Sequence, residues 1–154
     1  MVEENILQVN YIIDGILTTI QTEVISERSD ENEIQKIHYE VICEGNYIIS
    51  ETCSDTELSI VKLQQVLPGN TSIACYQSCR YGNFCPFGDC DNEIFCLRDM
   101  MPNDRNEICE FFSENGDLLE VKSRRLLDFC KEYKPIAYNE VYTYNDWGYR
   151  NNDL

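Results

Sequence analysis

The chain has 154 residues, 43% of them hydrophobic and 26% charged, with 28 acids against 12 bases and a formal net charge of −16. That length suits one folded domain, and the spread of aromatic and β-branched residues argues against a disordered chain. The charge argues against binding a nucleic-acid backbone or an anionic membrane, both of which are held through Lys and Arg. It favours a basic protein partner or a cation.

The acids are unevenly spread. Residues 1–60 carry 13 acids and only Arg28 and Lys36 as bases, a net of −11. No apolar run approaches the roughly 18 residues of a membrane span, and Met1-Val2-Glu3-Glu4-Asn5 has no basic leader. The nine cysteines read most simply as reduced thiols, which predicts a cytoplasmic protein.

In chain order, Leu7, Val9, Tyr11 and Ile13 alternate with polar or mixed positions, the period of a strand. Asp14-Gly15 between Ile13 and Ile16 is a two-residue hairpin signal. The return strand carries Ile16, Ile20 and Val24, with Thr18 and Thr22 between them, before a polar loop at 26–32. A third strand sets Ile37, Tyr39, Val41 and Cys43 against Lys36, His38 and Glu40. Glu44-Gly45-Asn46 turns the chain, and Tyr47–Cys53 is predicted to return as a fourth strand. The result is a four-stranded antiparallel meander with one face available for packing.

Ser54…Glu57 reads as a capping box, with Ser54 as N-cap, ahead of a helix through Ile60, Leu63 and Leu67 that Pro68-Gly69 stops. Residues 71–79 and 93–98 read as strands flanking a loop rich in Cys, Gly and Pro. Asp104…Glu107 predicts a second cap, with Ile108, Phe111 and Phe112 on one helical stripe; a hairpin at Asn115-Gly116 is the rival. Leu126, Leu127, Cys130 and Tyr133 predict a last helix, closed before Pro135, and an aromatic tail follows from Ala137. The fold class predicted is therefore α+β, one domain over 1–154, with two or three helices on the meander.

Cys75, Cys79, Cys85, Cys90 and Cys96 are separated by gaps of three, five, four and five residues. Four thiolates suit tetrahedral zinc, but none of these gaps is the two-residue spacing of a zinc knuckle. Buried thiols acting as small hydrophobes are the plainer reading, and a redox thiol would want a basic setting that only Arg80 and Arg98 could offer here. If 71–79 is one strand, Cys75 and Cys79 share a face, and Cys96 can meet them from the next.

The block Cys79-Arg80-Tyr81-Gly82-Asn83-Phe84-Cys85-Pro86-Phe87-Gly88, with Glu93-Ile94-Phe95-Cys96-Leu97-Arg98-Asp99, resembles the core of an uncharacterised family of small bacterial proteins. The closing Thr143-Tyr144-Asn145-Asp146-Trp147 is similar to that family's tail. The likeness begins near Ser72 and covers about half the chain. It implies a compact bacterial domain and brings no activity with it.

No nucleophile pattern accompanies the single His38, which sits mid-strand between Lys36 and Glu40. Asp89, Asp91 and Glu93 alternate but lack the Gly and Glu of a calcium loop. Tyr142, Tyr144 and Trp147 serve either as core cover or as an exposed patch. The expected function is accordingly non-enzymatic: an acidic protein that docks a basic partner, as bacterial immunity proteins dock nuclease toxins. Glu23, Glu27, Asp30, Glu31, Glu33, Glu40, Glu44 and Glu51 are the expected contacts. The alternative is a zinc-stabilised Cys-rich module.

Overall fold

A computed structural model describes residues 1–87, 93–100, 102–114, 116–136, 145 and 147. The architecture is α+β, as the sequence predicts, and the chain divides into two compact units, Met1–Ile73 and Ala74–Leu154.

The first unit is a five-stranded antiparallel sheet in the order β4-β3-β2-β1-β5, built from β1 (Val2–Ile13), β2 (Ile16–Arg28), β3 (Ile34–Cys43), β4 (Asn46–Ile49) and β5 (Thr71–Ile73). Both tight turns follow from local backbone chemistry. Asp14 and Gly15 adopt φ of 52° and 80°, and Glu44 and Gly45 adopt 50° and 81°. These left-handed pairs twist the chain as two-residue hairpins require, so Ile13 pairs with Ile16 and Cys43 with Asn46. The Asn70 side-chain amide donates to both tips, at 3.1 Å to Asp14 Oδ1 and 3.1 Å to Glu44 Oε1.

The meander's inner face is the alternating stripe seen in the sequence. Val9, Tyr11, Ile37, Tyr39, Val41 and Cys43 are buried. The middle strand β2 contributes Thr22 and Ser26 to the same buried layer, and the Tyr11 and Thr22 hydroxyls satisfy one another at 2.7 Å. Helix α1 (Thr56–Val66) lies against β3 and β4 and buries Ile60, Val61 and Leu63. Leu67 leaves the helix with an extended backbone, as the residue before a proline must.

Two expectations shift here. The N-cap of α1 is Asp55, whose side chain accepts from the Leu58 amide at 3.2 Å, rather than Ser54. Strand β4 stops at Ile49 instead of Cys53; Ser50 satisfies Tyr39 through both its amide and its hydroxyl, and Cys53 meets Ile37 in a single bridge.

The second unit has a three-stranded sheet, β6 (Gly82–Asn83), β7 (Glu93–Cys96) and β8 (Ser123–Arg125), in the order β6-β7-β8. Helices α2 (Arg105–Glu114) and α3 (Gly116–Lys122) follow β7. Asp104 caps α2 as predicted, accepting from the Glu107 amide at 2.9 Å. Phe95, Leu97, Ile108, Phe111 and Phe112 form the core, and Phe95 meets Phe112 edge-on with centroids 5.2 Å apart. Helix α3 takes the place of the rival hairpin.

Two further predictions fail in this unit. Residues 71–79 are not one strand: after Ile73 the chain enters a 3-10 turn at Tyr76–Ser78, because the Ser78 hydroxyl accepts from the Cys75 amide at 3.1 Å and folds the segment back. Residues 126–133 are not a helix. The carbonyls of Leu126 and Asp128 accept from the amides of Gln77 and Tyr76, so they are spent on tertiary partners.

Candidate functional site

The outward face of the first sheet carries an arrangement that alternation alone does not explain. Residues of one parity along β1 and β3 fill the core, so those of the other parity project outward. On that outer face the ladder aligns Ile6 with Glu23, Glu23 with Glu40, and Glu40 with Ile49. Two carboxylates thus stand directly opposite one another on neighbouring strands, between two isoleucines. Like charges in that position repel.

The surroundings are open and apolar. Ile6 is 63% exposed, Ile42 60% and Tyr47 60%. With Gln21, Glu23 and Glu40 they line a cavity of about 290 Å³. Glu40 is half-buried and holds His38 Nε2 at 2.9 Å. Glu23 is exposed, and among the described residues no cation lies within 4.0 Å of it. Such a recess suits the side chain of a lysine or arginine: an aliphatic stem against Ile6, Ile42 and Tyr47, and a cationic head at the two carboxylates.

The eight predicted contact acids do not form one patch. Glu23 and Glu40 share the outer face, where Glu27 stands opposite Lys36. Asp30, Glu31 and Glu33 belong to the turn between β2 and β3, at one end of the sheet. Glu44 lies at the other end, held by Asn70, and Glu51 is paired with Lys62 at 3.3 Å. Sequence reading missed Ile6, Gln21, Ile42 and Tyr47. Its one available signal was Ile42, an apolar residue on the polar stripe of Lys36, His38 and Glu40.

The cysteines follow the sequence expectation only in part: no single strand carries Cys75 and Cys79, yet Cys96 still lies close enough to Cys79 for the two thiols to influence one another. Cys75 and Cys79 stand at opposite ends of the 3-10 turn, both buried. Cys85 packs against the phenylalanine core, and Cys96 is half-buried on β7. Cys90 lies outside the described residues, as do Asp89, Asp91, Tyr142 and Tyr144. Trp147 is buried, so the cover role holds for that residue. Among the described residues no three His, Cys, Asp or Glu side chains are grouped to hold a metal. Burial pushes the Cys75 thiol up to about 11, against the smaller downward pull of Ser78. Cys79 is raised for the same reason. Both therefore stay protonated at neutral pH, the opposite of an activated thiolate.

Among the described residues no helix is long and apolar enough to cross a membrane. In comparisons with known proteins, the chain matches no family model, no curated protein and no solved structure.

Proposed function

We propose that this chain is a non-enzymatic binding protein that docks a basic protein partner on the outer face of its first sheet, a basic toxin being one such partner. The observation that carries this reading is the Glu23–Glu40 pair: two opposed carboxylates framed by exposed Ile6, Ile42, Tyr47 and Ile49. A like-charge pair costs folding stability, and a cationic ligand converts that repulsion into attraction. The net charge of −16 supports it further, because a negative field speeds the approach of a positive partner.

The test is a fluorescein-labelled nonapeptide of alternating valine and lysine, titrated by anisotropy. Reversing Glu23 and Glu40 to Lys weakens binding by about tenfold or more at about 0.1 M salt, the scale of losing two close charge contacts. Reversing Glu31 and Glu33 makes the same change in net charge at the end of the sheet, and affinity falls less than about threefold because exposed charges beyond a Debye length are screened. Equal losses in both variants would mean that net charge alone attracts the peptide, and the reading would fall.

A further inference from the structure

The two edges that flank the end of the sheet are treated differently. Strand β5 pairs with β1 only over Tyr11, Ile12 and Ile13, and its own outer edge is closed by one side chain. Gln64 of α1 donates to the Thr71 carbonyl at 3.1 Å and accepts from the Ile73 amide at 2.8 Å, as a neighbouring strand would. No such device protects the rest of β1. Among the described residues, nothing pairs with Val2–Asn10 on the side away from β2.

Which groups face that open side follows from parity. The Asp14 amide bonds Asn70, on the β5 side, whereas the Met1 carbonyl bonds the Arg28 amide, on the β2 side. The β1–β2 register is continuous from Val2 to Ile13, so the alternation is unbroken. The N–H and C=O groups of Val2, Glu4, Ile6, Gln8 and Asn10 therefore point to the open edge. The nine residues of Val2–Asn10 span about 30 Å.

Resting on the docking reading above, we propose that this edge takes an extended, basic segment of the partner as an added β-strand. Natural sheets blunt a long edge with lysines, prolines or bulges. Among the described residues the only bulge is at Glu27/Arg28, in the β2–β3 pairing, and β1 has no proline and no base. Its only charges are Glu3 and Glu4, and Glu23 lies one strand in, opposite Ile6. Arg28 holds Glu3 on the inner face at 3.8 Å, so Glu4 and Glu23 on the outer face are the acids that repel a second copy of this chain, net charge −16, and attract a strand bearing lysine or arginine. Main-chain bonding would supply the affinity, and the alternate side chains would reach Glu4 and the Glu23–Glu40 recess.

The experiment uses the same valine–lysine nonapeptide and a version methylated on every backbone nitrogen, which keeps the charges and removes the donors. The methylated peptide binds at least about tenfold more weakly, as loss of several hydrogen bonds requires. Gln8→Pro deletes one outward amide while leaving the β2 ladder intact, and weakens the unmodified peptide by about threefold or more. Amide hydrogen exchange on the wild-type chain gives a readout that needs no variant. The peptide slows exchange at Val2, Glu4, Ile6, Gln8 and Asn10, whereas Asn5 and Leu7 are already protected by β2. If both peptides bind alike and protection rises elsewhere, the edge proposal fails while the docking reading survives. If neither peptide binds at low salt, both fail. If the chain alone dimerises at micromolar concentration with those five amides protected, the edge belongs to a second copy and the proposal is overturned.

Discussion

Replacing Glu23 with Lys should stabilise the fold and weaken its binding at the same time. Glu23 and Glu40 are ladder partners, which puts their Cβ atoms about 5 Å apart and their carboxylates at a similar separation. At about 6 Å, unit charges repel by roughly 0.7 kcal/mol in water and about twice that at an effective dielectric near 40. Lysine reverses the sign of this contact, less the entropy of holding a long side chain, so the gain should be about 1 kcal/mol. For a chain of this size that raises Tm by about 2–4 °C. Glu23→Gln removes the repulsion alone and should give about half the effect. Urea unfolding at 0.05 and 0.5 M sodium chloride measures both variants, and the gain should shrink at high salt because the groups are exposed. The valine–lysine peptide, titrated in parallel, should bind Glu23→Lys more weakly. A destabilised Glu23→Lys, or a gain indifferent to salt, would refute the electrostatic account of this face.

Asp55→Ala should cost about 1 kcal/mol in urea unfolding, because Asp55 caps the Leu58 amide; Ser54→Ala should change stability by less than about 0.5 kcal/mol. Burial holds the Cys75 proton to about pH 11 in the fold, against 9.0 for an unperturbed thiol. Its contribution to stability is therefore complete below pH 9, disappears as pH rises through 11, and amounts to about 2–3 kcal/mol. The Cys75→Ala variant should flatten the fall of unfolding free energy over that window, and superimposable slopes would contradict the assignment. Gly82→Ala should destabilise by about 3 kcal/mol or more in the same assay, because a Cβ there would collide with the Tyr76 carbonyl oxygen and lie 2.8 Å from Ile94 Cδ1; a loss under 1 kcal/mol would show that the contact yields easily.

The parts of the fold read correctly from the sequence are those decided within a few residues. Asp14-Gly15 and Glu44-Gly45 set their hairpins through positive φ, and Asp104 and Glu107 fix the start of α2 by a contact three residues long. Ser54 and Asp55 are both good caps, and it is Asp55 that takes the Leu58 amide. The errors at Cys75–Cys79 and Leu126–Tyr133 share a cause. In each, a backbone group makes a hydrogen bond that periodicity cannot foresee: the Cys75 amide donates to the Ser78 hydroxyl in one case, and the Leu126 and Asp128 carbonyls accept from the Gln77 and Tyr76 amides in the other. The recess on the outer face was hidden for a similar reason. Glu23 and Glu40 are 17 positions apart in the sequence, and become neighbours only through the β2–β3 register, which the irregular turn at Ser29–Glu33 sets.

Asn70 constrains the first sheet beyond the two bonds it makes. One amide nitrogen serves carboxylates from two separate ribbons, Asp14 at the tip of the first and Glu44 at the tip of the second. The smallest slip of either ribbon that preserves its buried face is two residues, which carries the tip about 7 Å along the strand axis. The amide would then lose that carboxylate. The chain leaving α1 thus works as an alignment gauge, accepting only the pairing in which both ribbons end flush. Misaligned meanders are discriminated against by a residue that belongs to neither.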